Sequence, residues 1–283
     1  MAGLGGELDS MIKRSIWGII AAVFSYMVIR AGGIYLTLII GALAVLAILE
    51  YVGLLKKQNF RPQTEVIIGI SLLIMTFIQV NQFGLIKGDF QVNAERLIGF
   101  MIILAFFITL TFELMRGEPD QGLINAAVNL FGIVYIGMMF SFFLLVRFLN
   151  EGFFYLLSMA FITFANDTTA YFVGVNFGRH KLSPKISPKK SVEGSLGGLG
   201  GGLIMAAILG LIFQKSIWHM LAMGALIVIA GQFGDLIESI IKRNAGVKDS
   251  GSFLPGHGGV LDRMDSLLLS APVVYYFVTY FRF

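Results

Sequence analysis

The chain has 283 residues, 57% hydrophobic and only 13% charged, with a formal net charge of +4 and a mean hydropathy of +0.82. Soluble domains carry roughly 25% charged residues, so a soluble globular protein is excluded and an all-α polytopic membrane protein is indicated. Cysteine is absent, which rules out disulfides and thiolate chemistry and leaves oxygen atoms and three histidines as metal ligands.

Residues 1–10 precede the sequence MIKR at Met11–Arg14 and are expected to be a flexible leader or a cloning remnant. Apolar runs then follow at 15–29, 33–55, 66–86, 97–115, 123–148, 152–178, 196–214, 219–241 and 260–281. Most approach the roughly 20 residues that cross a bilayer, and they predict about nine transmembrane helices. The first two are separated by Arg30, Ala31 and Gly32 alone. With the N-terminus in the cytoplasm, alternation leaves Arg30, Lys87, Arg96, Arg147, Lys215 and Arg282 outside, and the other fifteen of the 21 basic residues inside. That bias predicts an outward C-terminus, and it puts the polar loops 179–193 and 242–263 on one cytoplasmic face.

The region 11–150 reads as scaffold. Its acids Glu50 and Glu113 lie near span ends, where they are expected to snorkel or pair. The region 151–283 reads as catalytic. In the sixth span Asn166 and Asp167 follow a long apolar run, and Asp167 lies eleven residues before Gly178, about 16 Å by helical rise. The basic loop after it places Ser187, Lys189 and Lys190 around two Ser-Pro turns. It is read either as an anchor for anionic lipid or as a shaped anion site. The run GSLGGLGGG (Gly194–Gly202) opens the seventh span. It serves either close helix packing or backbone approach to a phosphate.

In the eighth span Asp235, Glu238, Ser239 and Lys242 share one helix face. Asp235 sits six residues before Ile241, about 9 Å under the cytoplasmic boundary. A charge there costs at least ~2–3 kcal/mol unless it is paired or solvated. The last span is too short without the DRMD turn, Asp262 to Asp265, so these two acids also belong at the boundary. Three carboxylates from two helices need a cation. An all-oxygen set suits Mg²⁺, in one or two sites, with Asp249 as a further candidate ligand. Lys242, Arg243, Lys248, His257 and Arg263 surround them as phosphate donors, and Gly258 and Gly259 let the loop backbone pack against a ligand. Acids for metal beside bases for phosphate is the layout of phosphoryl or nucleotidyl transfer.

The pattern SIIKR (Ser239–Arg243), then Lys248-Asp249, His257-Gly258-Gly259 and DRMD (Asp262–Asp265), resembles the signature of the phosphatidate cytidylyltransferases, or CDP-diacylglycerol synthases. The upstream Asn166-Asp167-Thr168, Ala170-Tyr171, Ser187 to Lys190 and Glu193-Gly194 are similar to that family too, over about Asn166 to Asp265. Ser191-Val192 departs from the Thr-Trp that members often carry. The resemblance implies conversion of CTP and phosphatidic acid to CDP-diacylglycerol and pyrophosphate with a divalent metal. It also implies a homodimer in a bacterial-type inner membrane, with the active site toward the cytoplasm and no nucleic-acid partner. On this reading Asp235, Asp262 and Asp265 hold metal, and Lys242 and Arg263 join them as catalytic residues. Arg243 and Lys248 hold phosphates, and the loop at Ser187, Lys189 and Lys190 closes over the nucleotide or the lipid headgroup. Asn166 and Asp167 line the same cavity. Phosphatidate is already anionic near neutral pH, with a second ionisation at about 6, so positioning and charge neutralisation outrank a general base. Competing classes are an ion-coupled secondary transporter and another lipid-linked phosphotransferase. Neither an inverted repeat, a paired DxxxD nor a GxxxxGK[ST] motif is seen in the sequence.

Overall fold

A computed structural model describes residues 23–82, 94–117, 119–251 and 258–281. The leader 1–10, the start of the first span and His257 lie outside them. Helix α1 covers 23–31, followed by α2 (Gly33–Lys57), α3 (Thr64–Gln82) and α4 (Ala94–Arg116). Next, α5 (Pro119–Gly132) runs through a π-helical stretch, Ile133–Met138, into α6 (Met139–Phe148). The remaining helices are α7 (Gly152–Phe177), α8 (Val192–Ile212), α9 (Ile217–Asn244) and α10 (Leu261–Tyr280). The chain is therefore an all-α polytopic protein. Among the described residues six helical stretches are long and apolar enough to cross a membrane: α2, α3, α4, α5 through α6, α8 and α9. Helices α7 and α10 are of similar length, but Asn166, Asp167, Asp262 and Asp265 interrupt their apolar runs.

The elements follow the apolar runs because a helix satisfies its own backbone where water is absent. The break between α1 and α2 comes at Gly32 and Gly33, with φ of 61° and 51°. Arg147 of α6 seals it, donating from Nε to the Ile29 carbonyl at 2.9 Å. Large side chains such as Phe107, Leu114, Leu211 and Trp218 remain exposed. In a bilayer this outer surface needs no cover, since lipid tails are as apolar as leucine. Glu113 pairs with Arg116 at 2.8 Å and accepts from Gln63 Nε2 at 2.5 Å, which matches the pairing expected from its place near a span end.

The loop after α7 is more ordered than the sequence implies. Lys181–Ser183 (β1) and Ser187–Ser191 (β2) form an antiparallel ribbon, with Lys181 opposite Ser191 and Ser183 opposite Ser187. Ser191 then caps α8, its Oγ accepting from the Gly194 N–H at 3.1 Å. The ribbon lets α8 fold back on α7, and among the described residues these two helices share the most extensive contact, followed by α9 with α10. The glycine run makes the first contact possible. A Cβ on Gly194 would lie 2.9 Å from the Ala170 carbonyl, and one on Gly198 2.4 Å from Asn166 Oδ1. Of the two roles open to this run, close packing is the one most of its glycines fill.

Candidate active site

Three helices and the ribbon converge on one site. From α9, Asp235 and Glu238 project one turn apart; from α10 comes Asp265. One carboxylate oxygen from each lies within 4.8 Å of the other two. Gly234 permits the approach, since a Cβ there would lie 2.3 Å from the Asp265 carbonyl oxygen. Tyr135, in the π-helical stretch, reaches the same place, with its hydroxyl 3.5 Å from the Gly234 carbonyl.

Beside these acids is a cavity of about 620 Å³. Its floor carries Asn166, Asp167, Gln232, Asp235 and Ser266, one rim carries Lys181, Lys189 and Lys190 of the ribbon, and an apolar wall is built from Ala170, Tyr171 and Val175 of α7. Its size falls within the range of small-molecule sites, and its lining combines polar and charged groups with apolar ones. Lys190 Nζ forms an ion pair with Asp235 Oδ2. Asp167 accepts from Asn166 Nδ2 at 2.8 Å. Gln232 Nε2 donates to Asn166 Oδ1 at 2.9 Å and to the Ser195 carbonyl at 3.0 Å, while its Oε1 accepts from the Ser195 hydroxyl. This amide network ties α7, α8 and α9 together under the cavity.

Lys242 has a different role from a free phosphate donor. Its Nζ bridges Glu238 Oε2 and Asp262 Oδ1, the latter at 2.7 Å. Asp262 in turn accepts at Oδ2 from the N–H groups of Ser250 and Gly259, at 2.9 and 2.8 Å, with the Ser250 hydroxyl at 2.9 Å. Asp262 thus lies one turn from Asp265, committed to Lys242 and the preceding loop, and Glu238 takes the third place in the acid cluster. Arg243 donates to the carbonyls of Ile186 and Val247, at 3.2 and 3.0 Å, and so braces the ribbon turn. Lys248, Asp249 and Arg263 are exposed. Ser187 is half-buried on β2, and Gly258 holds a φ of +80°.

The sequence had placed Glu238 on the right helix face without assigning it a ligand role. Its spacing of three from Asp235 was the available signal. Lys181 belongs to the basic loop whose regular lysines already read as an anion site. Gln232 and Ser195 carried no signal, because a lone amide or hydroxyl in an apolar run looks the same whether it faces lipid or a cavity.

Comparison with known proteins shows the family. Residues 12–281 match the model of the cytidylyltransferase family. The match extends well beyond the Asn166–Asp265 stretch that carries the motifs. Proteins named phosphatidate cytidylyltransferase are similar over nearly their whole length. The one from Bacillus subtilis (strain 168) is 34% identical over 274 residues, covering 96% of this chain and 98% of the relative. Those from Staphylococcus aureus (strain COL) and Staphylococcus haemolyticus (strain JCSC1435) are each 34% identical over 266 residues, 93% of this chain and 97% of the relative.

Proposed function

The chain belongs to the cytidylyltransferase family of nucleotidyl-transferring enzymes, and from that premise we propose that it makes CDP-diacylglycerol from CTP and phosphatidic acid. Relatives named for that activity support the choice of lipid acceptor. The observation that carries the reading is the meeting of Asp235, Glu238 and Asp265 within 4.8 Å, next to a cavity rimmed by Lys189 and Lys190.

A phosphatidate oxygen attacks the α-phosphorus of CTP. A new P–O–P bond forms, the α–β bond breaks, and pyrophosphate leaves with the electron pair. Both reactants are polyanions, so charge has to be offset before they meet. The donor set fits a hard divalent cation: every candidate ligand is a carboxylate oxygen, and the buried Glu238 Oε1 has no hydrogen-bond partner among the described residues. Asp235, Glu238 and Asp265 would hold Mg²⁺, which when bound supplies charge neutralisation to the triphosphate and the departing pyrophosphate. Lys190 exchanges Asp235 for a nucleotide phosphate, and Lys189 and Lys181 add positive charge along the same rim. Lys242 neutralises Glu238 and Asp262, and Asp262 orders the start of α10. Lys248 and Arg263 extend the positive face toward incoming phosphates. The apolar wall at Ala170, Tyr171 and Val175 takes the diacylglycerol side, so that the lipid reacts without leaving the bilayer.

The same proposal includes nine spans in a bacterial inner membrane, an inward N-terminus, an outward C-terminus, a cytoplasmic active site and a homodimer. The charge bias of the loops supports the orientation. Residues 11–150 act as scaffold and residues 151–283 carry the chemistry. Pyrophosphate release by purified protein in phosphatidate micelles tests the reaction. It is expected with CTP plus phosphatidate. Equal release with ATP, or without phosphatidate, contradicts it.

A further inference from the structure

Glu50, near the end of α2, reaches across to the start of α10. Its carboxylate accepts from the Val260 N–H at 2.8 Å and the Leu261 N–H at 2.9 Å, and lies 3.0 Å from the Ser250 hydroxyl. A Cβ on Gly251 would come within 2.7 Å of Glu50 Oε1, and one on Gly259 within 2.4 Å of Oε2. One side chain is therefore pressed against two stretches of backbone, Ser250–Gly251 and Gly259–Leu261. Helices α2 and α10 otherwise scarcely touch, so the carboxylate itself makes the junction.

The contact continues into the site. The hydroxyl of Ser250 stands between Glu50 and Asp262, Asp262 pairs with Lys242, and Lys242 pairs with Glu238. The first helical amides of α10 have no partner within their own helix, so an acid supplied from elsewhere fixes where that helix begins. Asp265 lies on the next turn, and its position relative to Asp235 follows from that start.

We propose that Glu50 is a positioning residue: it clamps the start of α10 and thereby sets the separation of Asp265 from Asp235 and Glu238. The scaffold half then takes part in the reaction through geometry, without touching substrate. The proposal rests on the function given above. Glu50→Gln keeps the size of the side chain, but it loses the charge and turns an NH₂ group toward an N–H donor. In purified Glu50→Gln protein, hydrogen–deuterium exchange of residues 258–266 is expected to quicken while α8 keeps its protection. Turnover is expected to fall by about 10-fold or more, with the KM for CTP within about threefold of wild type. Ser250→Ala, a milder lesion, is expected to move both readouts the same way and by less. Turnover within about twofold of wild type, or unchanged exchange at 258–266, overturns the proposal. So does exchange that rises equally in α8 and α9, which marks a fold-wide role. If wild-type protein yields no cytidylyl lipid, the functional reading fails, and the exchange of 258–266 alone decides the clamp.

Discussion

Gly234 and Asp265 touch backbone to backbone: a Cβ on the glycine would lie 2.3 Å from the aspartate's carbonyl oxygen. The missing side chain lets α9 and α10 pack closely at the level of the acid cluster, and so sets how near Asp235 and Asp265 come. Gly234→Ala forces the two helices apart at that level. Overpacking of this kind costs about 1–3 kcal/mol. The expected result is a lower unfolding temperature in detergent and a loss of turnover larger than the stability change alone explains. Normal turnover would mean that the acids tolerate separation.

Lys242 is the shared cation of Glu238 and Asp262. Glu238 is fully buried. Removing one partner of a buried pair costs about 3–5 kcal/mol, because the other charge is left alone. Lys242→Met is therefore expected to lower the yield of folded protein and abolish activity. In the double variant Lys242→Met/Glu238→Gln much of the folded yield is expected to return, without activity. Fluorescence-detected size-exclusion chromatography reads the folded fraction. A well-folded, active Lys242→Met protein would contradict the bridging role.

Lys190 pairs with Asp235 and lines the cavity. A charge-assisted hydrogen bond is worth about 1.5–3 kcal/mol. Lys190→Met is expected to raise the KM for CTP by about 10- to 100-fold, with a smaller effect on the KM for phosphatidate. Steady-state kinetics with each substrate varied in turn checks this. Equal effects on both would place Lys190 on the shared path rather than on the nucleotide.

Much of this was legible in the sequence, for reasons that differ by region. Helices α2 to α10 follow their apolar runs because bilayer length and internal hydrogen bonding leave few alternatives. Asp235 and Asp265 stood out because intramembrane acids are costly. The ribbon did not, since β1 has three residues and its Ser-Pro turns read equally well as loop. Glu50 did not either. It sits near a span end, where an acid has many ordinary partners, and its partner is 210 residues away in the chain. Asp262 looked equivalent to Asp265 at a spacing of three, and only the fold shows that one faces the loop amides while the other meets α9.

Gln232 links Asn166 and Ser195 under the cavity. Gln232→Leu leaves the buried Asn166 Oδ1 without its donor, at about 1–3 kcal/mol for a buried group left unsatisfied, and it removes the tie to Ser195 of α8. A lower unfolding temperature and weaker CTP saturation are expected together. Gln232→Glu keeps the size but puts a fourth negative charge beside Asp167, Asp235 and Asp265, and is expected to be worse for CTP than Gln232→Leu. The reverse order would remove the electrostatic part of this account.

The central claim is cytidylyl transfer to lipid at the carboxylate cluster, and it is tested most directly by following the α-phosphate of CTP. Purified wild-type protein, with phosphatidate and Mg²⁺, is predicted to move label from [α-³²P]CTP into a chloroform-soluble product. Asp235→Asn and Asp265→Asn are predicted to lose more than about 100-fold of that transfer across a Mg²⁺ titration. Label that stays in the aqueous phase with wild-type protein, or near-normal transfer by either variant at limiting Mg²⁺, would contradict it.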